Sequence, residues 1–187
     1  SDEALDSMSG EAYLRYIYDE VARGIIKARE NAVVAAILAA PATATATAPA
    51  VAKTGAAAGA IDDFINARAL LSSAAENLVI ICTPAQYATY RALQMGASYA
   101  VDPFDGLRVY FNNTLGTIDN TDSKPWLIVG DFGLGAQANF PNGDEIILKY
   151  DDLSLAEADV VKVVGREYIG LGLVADKAFC LVAGVVE

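Results

Sequence analysis

The stretch Leu78-Val79-Ile80-Ile81-Cys82-Thr83-Pro84-Ala85-Gln86-Tyr87 decides how this 187-residue chain is read. Five apolar residues in a row, with no polar alternation, predict a strand buried on both faces. Thr83 then offers a hydroxyl cap, Pro84 takes the first helical position, and Gln86 stands where a capping box wants it. The helix that follows carries Tyr87, Tyr90, Leu93 and Gln94, and Gly96 is its expected stop. A buried strand running into a helix needs a core around it. With 54% hydrophobic residues, a chain of this length buries roughly 70% of its unfolded surface, enough for one domain or two modest lobes.

Upstream, residues 11–38 give the strongest helical pattern. Tyr13, Leu14, Ile17, Tyr18, Val21 and Ile25 recur at spacings of three and four and gather on one stripe. Ser9 is placed to cap this helix, with Glu11, Asp19 and Glu20 favouring its N-terminal half and Arg23, Lys27 and Arg29 the later part, an order that suits the helix dipole. At 1.5 Å per residue it spans roughly 40 Å. Composition then shifts: in 39–60, twelve of 22 residues are alanine, broken by Pro41, Pro49, Gly55 and Gly59. This reads as a variable loop or extended hairpin, with a short strand at 42–48. A second helix is expected over 61–77, opened by Asp62 and Asp63.

Downstream the chain is strand-rich. Strands are expected at 107–111, 126–130 and 145–150, the last after a Pro141-Asn142-Gly143 turn. An acidic connector fills 151–159. Further β-runs occupy 160–164, 168–174 and 178–185, with Gly165, Gly170 and Gly172 as bends. Helices and strands do not alternate regularly, so the fold class is α+β.

Several chemistries are excluded or weak. There is no histidine, which removes Ser-His-Asp triads, imidazole zinc sites and histidine bases. Cys82 and Cys180 each sit in an apolar run and read as buried reduced thiols; a disulfide or a nucleophile is the competing reading. A net charge of −11 argues against a nucleic-acid-binding surface. No apolar run approaches the roughly 18 residues of a membrane span. Asp131-Phe132-Gly133 lacks the rest of the kinase motif set and reads as a turn after a strand. Gly170-Leu171-Gly172 lacks the third glycine of a dinucleotide fingerprint. Asp144, Glu145, Asp151, Asp152, Glu157 and Asp159 could serve a hydrolase or calcium, but fit no EF-hand spacing and read as a solvated face or interface rim. Tyr13, Tyr16 and Tyr18 read as core or subunit contact. No catalytic, cofactor or metal site is assigned.

The order of the pieces carries more than any motif. The long helix, the variable loop and the quoted strand-and-helix segment come first. Phe104-Asp105-Gly106-Leu107-Arg108-Val109 and Trp126-Leu127-Ile128-Val129-Gly130-Asp131-Phe132 follow. The chain closes with Val160-Val161-Lys162-Val163-Val164-Gly165-Arg166-Glu167-Tyr168-Ile169-Gly170-Leu171 and Asp176-Lys177-Ala178-Phe179. This resembles the C-terminal two thirds of the major capsid proteins of tailed bacteriophages, the icosahedral shell fold shared with encapsulins. Arg108 stands where proline is common in that family.

The resemblance implies a long spine helix, a peripheral β-rich domain (1–40 and 137–176) and an axial α/β domain (41–136 and 177–187), with the Ala/Thr-rich loop at 41–60. It implies a structural subunit of a phage or prophage capsid, located in the virion and in the host cytoplasm before assembly. Its partners would be other copies of itself, as pentamers and hexamers, without a nucleic-acid site, a membrane or a cofactor. The N-terminal arm and extended loop of the family have no counterpart ahead of the spine helix, which implies a piece of a longer chain and a monomer or small ring. No crosslinking residues can be assigned. An encapsulin-like compartment is the alternative, and a hydrolase using Asp151, Asp152 or Glu157 the more distant one.

Overall fold

The computed structural model describes residues 10–46, 48–56, 61–97, 102–118, 124–141, 143, 146–151 and 162–184. The elements run α1 (Gly10–Ala39), β1 (Ala52–Ala56), α2 (Asp63–Ala69), β2 (Val79–Cys82), α3 (Pro84–Ala97), β3 (Arg108–Phe111) and β4 (Leu127–Gly130), then α4 (Phe132–Gly135), β5 (Ala136–Asn139), β6 (Ile147–Asp151), β7 (Lys162–Arg166), β8 (Gly170–Leu173) and β9 (Phe179–Gly184). The chain divides into two compact units, Ser1–Glu30 with Asn139–Gly170, and Asn31–Ala138 with Leu171–Glu187. The class is α+β, as the sequence predicts.

The larger unit is built on a five-stranded sheet of order β1-β9-β4-β2-β3. β1 runs parallel to β9 and β3 parallel to β2, while β4 is antiparallel to both β9 and β2. The quoted run 78–82 is thus next to the centre, which is why it contains no polar alternation. Successive side chains alternate between the faces. Ile80, Cys82, Leu127, Val129, Cys180 and Val182 pack with Phe64 and Ala67 of α2, Tyr90 of α3, Phe104 and Trp126. Ile81, Ile128, Phe179 and Leu181 pack on the other face with Val34 and Ile37 from the last turns of α1. Covering both faces buries the central strands almost completely.

In the smaller unit, β6 and β7 pair antiparallel, and β7 lies against the apolar stripe of α1. A Cβ on Gly165 would collide with Val21 and come within 3.0 Å of Ile25 Cδ1. Gly165 is therefore a close-approach position inside β7, while Gly170 opens β8 and Gly172 lies within it. Arg29 pairs with Glu167 and stacks over Phe140, 4.9 Å from the ring centroid.

Three other expectations are corrected. Among its described residues the alternating 42–48 stretch forms bends and no strand. Thr45 N–H donates to Ala48 O at 2.9 Å, and the edge of β9 is taken by Ala52–Ala56. The second helix ends at Ala69, because tertiary acceptors claim the following backbone. Ser72 N–H donates to Lys177 O at 2.8 Å, and the N–H groups of Glu76 and Asn77 donate to Asp131. The quoted helix passes Gly96 and ends at Ala97. Its start is as expected on one side only. Gln86 N–H donates to Thr83 Oγ1 at 3.2 Å, but the buried Gln86 Oε1 has no partner among the described residues, so the reciprocal half of the capping box is not made there. The proposed Ser9 cap lies outside the described residues.

Candidate functional site

Three polar clusters fix the surface of the larger unit. In the first, Tyr90 donates its hydroxyl to Asp63 Oδ2 at 2.6 Å and accepts from Trp126 Nε1 at 3.0 Å. Burial and the Asp63 carboxylate push the Tyr90 phenol far above its ordinary range, so it stays a neutral donor tying α2, α3 and the entry to β4.

In the second, Asp131 is 3% exposed and accepts from Glu76 N (3.1 Å), Asn77 N (2.9 Å) and Leu134 N (3.2 Å). The Asp131-Phe132-Gly133 turn is therefore a helix cap that also pins the 70–77 loop. Burial alone would raise this carboxyl, but the backbone donors together outweigh it and hold it below the usual carboxylate range. In the third, Asp102 accepts from Phe104 N and Gly106 N and pairs with Arg91. Burial opposes ionisation there too, yet those donors and Arg91 leave its pKa lowered.

A carboxylate with a depressed folded pKa stabilises the fold above its unfolded pKa, and that contribution is lost as pH falls through the folded value. Stability of the larger unit should therefore be level from neutral down to about pH 5 and fall below about pH 4. Asp131→Ala should cost roughly 1–3 kcal/mol at pH 7, from the buried N–H groups left unpaired, and flatten the acid limb. Urea melts from pH 3 to pH 7 check this; an unchanged acid limb in the variant contradicts it.

Arg91 lies over Tyr87 and Phe104, 5.1 Å from each centroid, and donates Nε–H to Tyr87 Oη at 3.0 Å. Tyr87 stacks on Phe104 and meets Phe111 edge-on. This packing leads to the free edge strand β3, where Tyr110 and Phe111 are 46% and 53% exposed and Arg108 lies over Tyr110. Aromatic residues and arginine are the types that dominate protein interfaces. Nothing in the local periodicity marks Tyr110 and Phe111 as exposed; only β3's place at the sheet edge does so.

The acids suggested for catalysis do not form a site within the described structure. Asp151 ends β6, while Asp144, Glu145, Asp152, Glu157 and Asp159 lie outside the described residues. Among the described residues no group of three or more Cys, Asp or Glu could hold a metal ion, and no helix is long and apolar enough to cross a membrane. Tyr13 is half-buried, while Tyr16 and Tyr18 are largely exposed. Cys82 and Cys180 are free and buried. Burial pushes the Cys82 thiol up to about 11, against the Tyr87 N–H, which lowers it, and the Cys180 thiol up to about 12. Neither thiol should react with a disulfide reagent at pH 8 in the native chain, and both should react after unfolding. Rapid labelling of the native protein would refute this.

The larger unit thus presents a mixed sheet with both faces covered and an exposed aromatic edge, and its polar clusters hold loops in place. The chain belongs to the phage capsid protein family, whose family model matches residues 1–183. It is a capsid subunit of the phage type. Among solved structures it is similar to the capsid of an empty GTA (gene transfer agent) particle computed with C5 symmetry, with TM-score 0.68 and 16% identity over 100% of this chain and 69% of that one. It is also similar to the capsid of a native GTA particle computed with C5 symmetry, with TM-score 0.64 and 18% identity over 100% of this chain and 70% of that one. At these identities the likeness shows the fold. No curated protein matches the chain.

Proposed function

We propose that this capsid subunit works purely by association, forming rings of five and six copies in a shell that encloses a phage or prophage DNA genome, and that it has no enzymatic role. The observation that carries the reading is the family match over 1–183. The larger unit, built around the open sheet, would be the axial domain around the rotational axes, and the smaller unit the peripheral domain. The division of the chain into two compact units supports that assignment. Subunits would accumulate in the host cytoplasm before assembly.

Heterologous contacts around a rotation axis close into rings when the angle between copies permits. Light scattering and negative-stain electron microscopy of the concentrated chain test this, with five- or six-membered rings expected. A strict monomer at every concentration would sink the ring assignment.

A further inference from the structure

We infer that the sheet of the larger unit continues from one copy into the next, with the β3 edge of one copy pairing in parallel with the β1 edge of its neighbour. This rests on the ring-forming reading above and names the surfaces that do it. The two outer strands of the sheet are β3 and β1, and among the described residues neither has a partner strand on its outer side, the Val51 N–H just before β1 being taken by Pro41 O at 2.9 Å. Following the pairings across the sheet, β1, β9, β2 and β3 all run one way and β4 the other. The two edges are thus parallel to each other, and joining β3 to the next copy's β1 repeats head to tail. A two-fold contact of β3 with itself would instead be antiparallel and would stop at a dimer.

The backbone fits one register. Asn112 N–H donates to Cys82 O at 3.0 Å, so by alternation the N–H and C=O of Tyr110 also face β2, and those of Val109 and Phe111 face outward. On β1, Lys177 N–H donates to Ala50 O at 2.8 Å. Ala52 and Thr54 therefore face β9, and Lys53 and Gly55 face outward. In a parallel ladder an outward residue bonds the two neighbours of the residue opposite it. Lys53 opposite Tyr110 lets Lys53 N–H reach Val109 O and Lys53 O accept from Phe111 N–H.

The side chains agree with that register. Val109 packs into the helix-covered core, as Ala52 does, so Tyr110 and Lys53 both project from the opposite face. The aliphatic stem of Lys53 then packs beside the Tyr110 ring, which Arg108 covers at 5.3 Å from its centroid. Arg108, which has no ion pair among the described residues, falls towards the start of β1. There the exposed Asp176 is held by Ala50, whose N–H donates to Asp176 Oδ1 at 2.8 Å. A shift by two residues would set Arg108 against Lys53, where like charges repel. An exposed edge bearing Tyr110 and Phe111 is an aggregation hazard, and a neighbouring copy's β1 removes it.

Lys53→Cys with Tyr110→Cys tests the contact. Adjacent strands place Cα atoms about 4.8 Å apart, within disulfide range, and both positions are exposed. On oxidation the double variant should give a ladder of disulfide-linked oligomers on non-reducing gels, and each single variant should not. Phe111→Ser should weaken ring formation by roughly tenfold or more while lowering the melting temperature by only about 2–5 °C, through loss of its edge contact with Tyr87. Wild-type rings without a ladder in the double variant overturn the edge pairing and leave the ring reading standing. A covalent dimer from Tyr110→Cys alone overturns it in favour of a two-fold contact. A chain that neither forms rings nor crosslinks overturns both.

Discussion

Trp126→Ala should remove about 3–5 kcal/mol from the larger unit, among the largest single losses available in the chain. Trp126 is the only tryptophan and is 0% exposed. It packs with Phe64, Tyr90 and Phe104, and its backbone N–H donates to Val182 O at 2.9 Å. Truncation leaves a cavity the size of an indole between sheet and helices, and it takes away the donor to Tyr90 Oη. Against a total stability of about 5–15 kcal/mol, that loss should lower the melting temperature by roughly 10–20 °C. Trp126→Phe keeps most of the volume and loses the N–H, so its cost should be well under half. Thermal unfolding followed by circular dichroism measures both. In the wild type, Trp126 fluorescence follows the larger unit alone. A melting temperature for Trp126→Ala within about 2 °C of wild type would contradict the placement of this residue at the centre of the core.

What was legible in the sequence was whatever local chemistry fixes by itself. The run Val79–Cys82 had to be a buried strand, and Thr83-Pro84 had to open a helix; both are there. The 3.6-residue stripe of α1 needed no partner to be seen. Errors arose where a distant residue decides. Whether 42–48 or 52–56 becomes a strand depends on β9, some 130 residues away in the chain. The helix after Asp63 ends early because Lys177 and Asp131 supply acceptors to its continuation. Gly165 reads as a strand bend until Val21 is found where its side chain would be.

The candidate surface was less legible than the fold. Tyr110 and Phe111 look like core residues in a strand pattern, and only the sheet order turns them into an exposed edge. The Ala/Thr run drew notice by composition, yet β1, which forms the opposite edge, begins after it. The family resemblance rested on the order of segments, and order survives at identities where single motifs do not.

Gly130→Val is the second change expected to have a large effect, for a steric reason and not a conformational one. Gly130 is paired with Phe179 across the centre of the sheet. An added Cβ would overlap the Phe179 ring and stand 2.7 Å from Ala178 O, the carbonyl that accepts Asp131 N–H at 3.0 Å. The ring is already packed against Phe132, 5.0 Å away between centroids, which limits how far it can yield. The carbonyl cannot move without breaking the β4–β9 ladder. Overpacking of this kind costs about 1–3 kcal/mol and more when backbone must shift, so about 3 kcal/mol or above is expected for Gly130→Val. At Gly135 the nearest obstacles to a Cβ are all side-chain atoms, Ala178 Cβ and the Phe179 ring. The two glycines should therefore respond differently to a second change. Ala178→Gly with Phe179→Leu removes both obstacles at Gly135, so it should recover much of the loss in Gly135→Ala and little of that in Gly130→Ala, where the Ala178 carbonyl still blocks. Urea melts of each glycine variant with and without that pair of changes give the coupling energies. Equal recovery at both glycines would show that side chains alone set the constraint, and that β4 and β9 have room to separate.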